Sequence, residues 1–152
     1  MRGESWTLKH RRAFFTKPDV TGPESTQASG GREAVLLFAH GSRDPAWARP
    51  FERLRALIAA QGVAVELAYL ERMTPDLAGA AGALAAQGCS AAVVVPVFLG
   101  QGSHVREDLP ALVEAARREY PTVALRLAAP IGDDDEVLRA IADACLAARA
   151  AS

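Results

Sequence analysis

The chain has 152 residues, half of them apolar and 23% charged, with a formal net charge of −1. Such a composition is globular rather than disordered and suits one domain, because two substantial cores need a longer chain. Nothing in the charge balance gives a nucleic-acid footprint, and no window holds the ~18 continuous apolar residues of a membrane span.

Residues 1–32 stand apart. They carry Gly, Ser, Thr and Pro without sustained periodicity, and Ser29, Gly30 and Gly31 close the stretch. It reads as a mobile N-terminal extension, with the folded domain over 33–152. The extension lacks the apolar core of a signal peptide, so the expected compartment is the cytoplasm. Cys89 and Cys145 lie far apart within apolar patterns and are expected to be small buried side chains, not a disulfide.

Residues 34–39 are apolar without alternation, as in a strand buried on both faces, and the run stops at His40, Gly41, Ser42 and Arg43. Asp44 and Pro45 then supply a cap and a first helical residue. Trp47, Phe51, Leu54, Leu57 and Ile58 recur at helical spacing, predicting a helix over about 45–60 whose first turns Pro50 loosens. Residues 63–70 predict a second strand, in which Glu66 asks for an exposed edge. After Glu71, Arg72 and Met73, the sequence Thr74-Pro75-Asp76 starts a helix ending near Gly88.

A third strand is predicted over 91–98, with its ladder ending around Val95 or irregular there, because Pro96 cannot donate. Residues 99–104 read as a flexible lip, and Asp108, Leu109 and Pro110 open a helix with Leu109, Leu112, Val113 and Ala116 on one face. Tyr120 and Pro121 break it. The fourth strand is expected over 122–127, with Arg126 arguing for a sheet edge. An acidic run at 133–136 opens a final helix and complements its dipole. Val137, Ile141 and Ala144 give that helix an apolar face, broadened by Leu138, Cys145 and Leu146.

Strands alternating with helices of this length predict an α/β fold: a three-layer α/β/α sandwich around a four-stranded parallel sheet. The two charge-free strands belong in the centre and the two charged ones at the edges, which gives the order 2-1-3-4. Connectivity then reverses between the first and third strands, the crevice where such sheets bind ligands.

His40 and His104 each follow a central strand, and adjacent strands are only ~5 Å apart, so both imidazoles are predicted to face one cleft. Glu71 follows the neighbouring second strand and is expected at the same rim. Neutral imidazoles bind Co, Ni, Fe or Zn and titrate where they can accept protons. Two histidines and a carboxylate make an open site that suits an ion in transit better than a closed structural site. Gly41, Gly100 and Gly102 allow a ligand close to the backbone. Ser42, Ser103 and nearby helix N-termini can receive carboxylate or phosphate groups, and Arg43 and Arg106 add charge-assisted donors. The chain has no His-Glu-x-x-His helix, dinucleotide fingerprint, P-loop or nucleophile elbow. Histidine phosphatases and phosphotransferases also use a histidine after the first strand, usually preceded by Arg; here Ala39 occupies that place.

The segment from Leu37 to Asp44, with its Ala39-His40-Gly41-Ser42-Arg43 core, and the segment from Val95 to Pro110, with Gly100-Gln101-Gly102-Ser103-His104, resemble the small class II tetrapyrrole chelatases. These are the CbiX-type sirohydrochlorin cobaltochelatases and ferrochelatases. Tyr69, Leu70 and Glu71, followed by Thr74, Pro75, Asp76 and Leu77, resemble the family's segment after its second strand, and the likeness spans roughly 34–146. It implies that His40 and His104 are the paired histidines of the metal-insertion site and that Glu71 is its acidic residue. It further implies a lyase that inserts Co2+ or Fe2+, or Ni2+ in an archaeal branch, into sirohydrochlorin on routes to cobalamin or siroheme. The ion is then a substrate and no prosthetic group is expected. Ser42, Arg43, Gly100, Gly102, Ser103 and Arg106 would hold the carboxylated ring. Short members work as homodimers, and the two motifs are not duplicated here. A metal-binding or delivery module without insertion activity, a histidine phosphatase or phosphotransferase, and a purely structural homodimer are the alternatives.

Overall fold

The computed structural model describes residues 31–100 and 102–150, without the side chains of Ser103, His104 and Ala150. The expected extension therefore lies outside the described residues up to residue 30. Four parallel strands, β1 (Arg32–Ala39), β2 (Ala64–Tyr69), β3 (Cys89–Pro96) and β4 (Ala124–Leu127), form one sheet in the order β2-β1-β3-β4. This is the expected order, and charge explains it. Glu66 on the β2 edge stays half-exposed, accepting a hydrogen bond from Gln87 Nε2 at 2.6 Å and lying 4.0 Å from Arg55. Arg126 on the opposite edge is exposed.

The helix expected over 45–60 divides into a 3-10 turn, Pro45–Ala48, and α1 (Arg49–Ala59). The Asp44 carboxylate accepts from the Ala46 amide at 2.9 Å, and the Arg49 amide donates back to the Ala46 carbonyl. Pro50 has no N–H to give to that carbonyl, so the first turn closes in the tighter form. In α2 (Leu77–Ala86) the Asp76 side chain caps the Gly79 amide at 2.8 Å.

The third helix corrects the expected start near Asp108: α3 runs Ser103–Glu119 and keeps Pro110 inside. An interior proline costs ~3 kcal/mol, but Val105, Leu109, Val113 and Ala116 are all buried along one stripe, and that burial offsets it. Leu112, expected on this face, is 37% exposed. His104 consequently sits in the first turn of a helix rather than on a flexible lip.

Leu36 and Phe38 of β1, Ala92 and Val94 of β3, and Leu125 of β4 pack beneath α2 and α3. On the other face Leu37, Ala39, Val65, Leu67 and Tyr69 pack beneath Trp47, Phe51, Leu54 and Ile58. The last helix, α4 (Asp135–Ala150), has no buried residue among 135–149. Cys89 is buried as expected, whereas Cys145 is exposed, because the apolar face expected for α4 meets no layer among the described residues. Among the described residues no helix is long and apolar enough to cross a membrane.

Candidate active site at the lip of the sheet

The strand ends explain how side chains come together here. At the lip the ladder continues past both strands: the Leu70 amide donates to Ala39 O at 2.8 Å and the Glu71 amide to His40 O at 3.0 Å. Glu71 is thus tied to the backbone of His40. The chain turns sharply next to this contact, at Gly41, with φ +89°. A Cβ there would fall 1.9 Å from the Glu71 carbonyl oxygen, so both the conformation and the close approach require glycine. Ser42 Oγ then accepts from the Asp44 amide at 3.1 Å, which shapes the loop into the capped 3-10 turn.

Across the reversal of connectivity, the Val97 amide donates to Phe38 O at 2.8 Å and carries β3 beyond Pro96. Phe98 is buried, edge-on to Phe38 with ring centroids 6.0 Å apart. The half-exposed imidazole of His40 lies on Phe98 at 5.0 Å, so this histidine bridges the ends of the two central strands. Gly102 caps α3, and Ser103 and His104 are its first two residues, placing the second histidine on the element that leaves the β3 lip.

Among the described residues, two clefts open on this lip. One, of about 390 Å³, is lined by Gly41, Ser42, Arg43 and Arg72. The other, of about 410 Å³, is lined by Phe98, Leu99, Gly100, Arg106, Pro130 and Asp133. Of the residues singled out from sequence, the first cleft unites Ser42 with Arg43, and the second unites Gly100 with Arg106. The Glu71 carboxylate is more than half exposed and lies 3.3 Å from Arg72 Nε. Among the described residues no three His, Cys, Asp or Glu side chains converge to hold a metal ion.

Sequence reasoning missed Arg72, Phe98 and the loop after β4. Arg72 had a signal, its place beside Glu71, and its backbone turns through φ +64° to reach the cleft. Gly132 had none. Its amide donates to Phe98 O at 2.9 Å, and a Cβ on it would meet Leu99 O at 2.5 Å, so the loop after β4 is laid directly on the β3 lip.

Comparison with known proteins extends this picture. A sirohydrochlorin ferrochelatase of Bacillus subtilis is 31% identical over 112 residues, covering 72% of this chain and 43% of that protein. The chain thus spans less than half the length of that relative. A sirohydrochlorin cobaltochelatase of Sulfurisphaera tokodaii is 31% identical over 103 residues, 68% of this chain and 82% of that protein. A crystal structure of a CbiX protein from Marinobacter aquaeolei superposes with a TM-score of 0.72 at 34% identity, covering 79% of this chain and 99% of that one. The CbiX family profile matches residues 34–148, which include both lips and every candidate site residue. By that match, this chain belongs to the CbiX family of class II chelatases.

Proposed function

We propose that the chain inserts Co2+ or Fe2+ into sirohydrochlorin, in cobalamin or siroheme formation, with the ion as substrate. The observation that carries this is the imidazole of His40 resting on Phe98 between the strand ends that supply the two clefts. The S. tokodaii cobaltochelatase, matched over most of its length, supports the same chemistry.

Insertion exchanges the two pyrrole N–H protons of the free ring for one divalent ion, so a metal ligand must stand beside proton acceptors. His40 and His104 hold the ion over one face of the ring and take up the leaving protons, with Glu71 assisting. Ser42, Arg43, Ser103, Arg106 and the backbone at Gly100 and Gly102 hold the peripheral carboxylates. Arg72 adds a second guanidinium beside Arg43. Each cleft is near the small end of ligand sites, and a broad macrocycle calls for a second copy to cover it, hence a homodimer. The cytoplasm is the proposed compartment.

An absorbance titration of protein with sirohydrochlorin and each metal tests this. His40→Ala and His104→Ala are each expected to lower insertion ~10²–10⁴-fold, with unchanged circular dichroism. Near-wild-type turnover in either overturns the assigned role. Metal binding that leaves the ring's absorbance unchanged identifies a delivery module instead.

A further inference from the structure

Among the described residues, Arg72 is the one residue other than glycine with a positive φ, at +64°. The Met73 amide donates to the Glu71 carbonyl at 2.8 Å, so residues 71–73 close a three-residue turn with Arg72 at its centre. With a positive φ at the centre this is the rare, strained form of the γ-turn. An arginine gains nothing locally from that conformation, which glycine would take at no steric cost.

The turn is held from both ends. The Glu71 amide donates to His40 O at 3.0 Å, and Met73 packs against the apolar cluster beneath α1. The Glu71 carbonyl also seats against Gly41, the close approach described above. Strain of this kind persists only where the surroundings over-determine it, and it gathers at sites that use it. What it achieves here is placement, because it brings Arg72 to the wall of the cleft that holds Gly41, Ser42 and Arg43.

Two guanidinium groups therefore share one small cleft. The Asp44 carboxylate is engaged by the Ala46 amide, and the acid beside Arg72 is Glu71, at 3.3 Å. Both partners are open to water, with side chains 42% and 54% exposed. An ion pair so exposed contributes little, so it yields to a better partner. A carboxylate arriving between two guanidiniums is such a partner.

We propose that Arg72 is a positioning residue that exchanges carboxylates: its guanidinium leaves Glu71 for a peripheral carboxylate of the ring as the ring enters beside Arg43, and Glu71 is left unpaired at the His40 lip. Seating of the ring and release of Glu71 are then one event, and the strained turn is what keeps the guanidinium within reach of both partners. This inference rests on the ring-binding reading of the cleft given above.

The test uses the full chain and metal-free uroporphyrin, a ring with a carboxylate on every peripheral substituent, so binding is read without any insertion. Arg72→Gly is expected to weaken porphyrin binding about 10-fold in a fluorescence titration. The same variant is expected to raise Tm by about 2–4 °C, because glycine relieves the turn. In the insertion assay its loss is expected to fall on KM. Arg72→Lys keeps the strain and a point charge without the planar fork, so it is expected to recover part of the binding with no gain in Tm. Glu71→Gln removes the competing carboxylate and is expected to tighten porphyrin binding about 3-fold, a gain that largely disappears in the Arg72→Gly background. Unchanged binding in Arg72→Gly, or an equal gain from Glu71→Gln in both backgrounds, overturns the exchange whatever the insertion assay reports. A lower Tm in Arg72→Gly makes Arg72 a structural residue and also overturns it. A chain that shows the exchange but inserts no metal overturns the chelatase reading and leaves the exchange standing.

Discussion

The two faces of this sheet are built by the same strands yet reach different ends. On the α2–α3 face, Phe38 and Val94 are completely enclosed. On the α1 face their immediate neighbours Val93 and Val95 keep contact with water. A run such as Val93-Val94-Val95 has the apolarity of a strand covered on both sides, yet among the described residues only one side is fully covered. The difference teaches that strand composition states how much cover a sheet needs, without stating which segment brings it.

Large-to-small changes read out that asymmetry first. Phe38→Ala, on the finished face, is expected to cost about 3–5 kcal/mol and unfold the chain at markedly lower urea. Val93→Ala, on the unfinished face, is expected to cost about 1 kcal/mol in chain dilute enough to be monomeric. Equal midpoints for the two variants would erase the distinction between the faces.

The connector that holds α4 away is the next point of attack. Gly132→Ala places a methyl group within 2.7 Å of the Phe98 and Leu99 carbonyls, and neither is a flexible side-chain end. A cost of about 1–3 kcal/mol is expected, read as a lower Tm. An unchanged Tm would show that the connector is not seated on those carbonyls.

The smallest effect sharpens the covered part of the α1 face. Burial, with Glu52 adding and Arg55 opposing, raises the Tyr69 phenol above its ordinary value of 10.0. The neutral phenol is therefore favoured in the folded chain. Its contribution is fully present below pH ~10 and is lost as pH rises through the raised value, since the unfolded chain ionises first. Tyr69→Phe is expected to leave neutral-pH stability within a few tenths of a kcal/mol and to flatten the alkaline limb of a pH–stability curve. An alkaline limb as steep as the wild type's would remove Tyr69 as its source.

Much of the molecule was legible because its cues are local. The uncharged centres of β1 and β3, and the charges Glu66 and Arg126, suffice for the strand order, since an edge strand tolerates what a central one does not. Asp44 and Asp76 announce their helices because capping spans only three residues. The start of α3 was misplaced because Pro110 is a local warning, whereas the buried stripe from Val105 to Ala116 that overrides it exists only when the sheet is present. Gly132 was silent for a similar reason: its role is set by carbonyls more than thirty positions earlier in the chain.

By itself the sequence determined four strands, their order, the helices between them, and the placing of His40 and Glu71 at one lip, because periodicity, charge and turn chemistry act over a few residues. Tertiary structure alone decided that His40 rests on Phe98, that Arg72 joins Arg43 in a cleft, that Gly132 pins the last connector, and that α4 buries none of its residues 135–149 among the described residues. Those outcomes depend on distances between segments remote in the chain, and a helix's apolar stripe carries no record of the surface that will cover it.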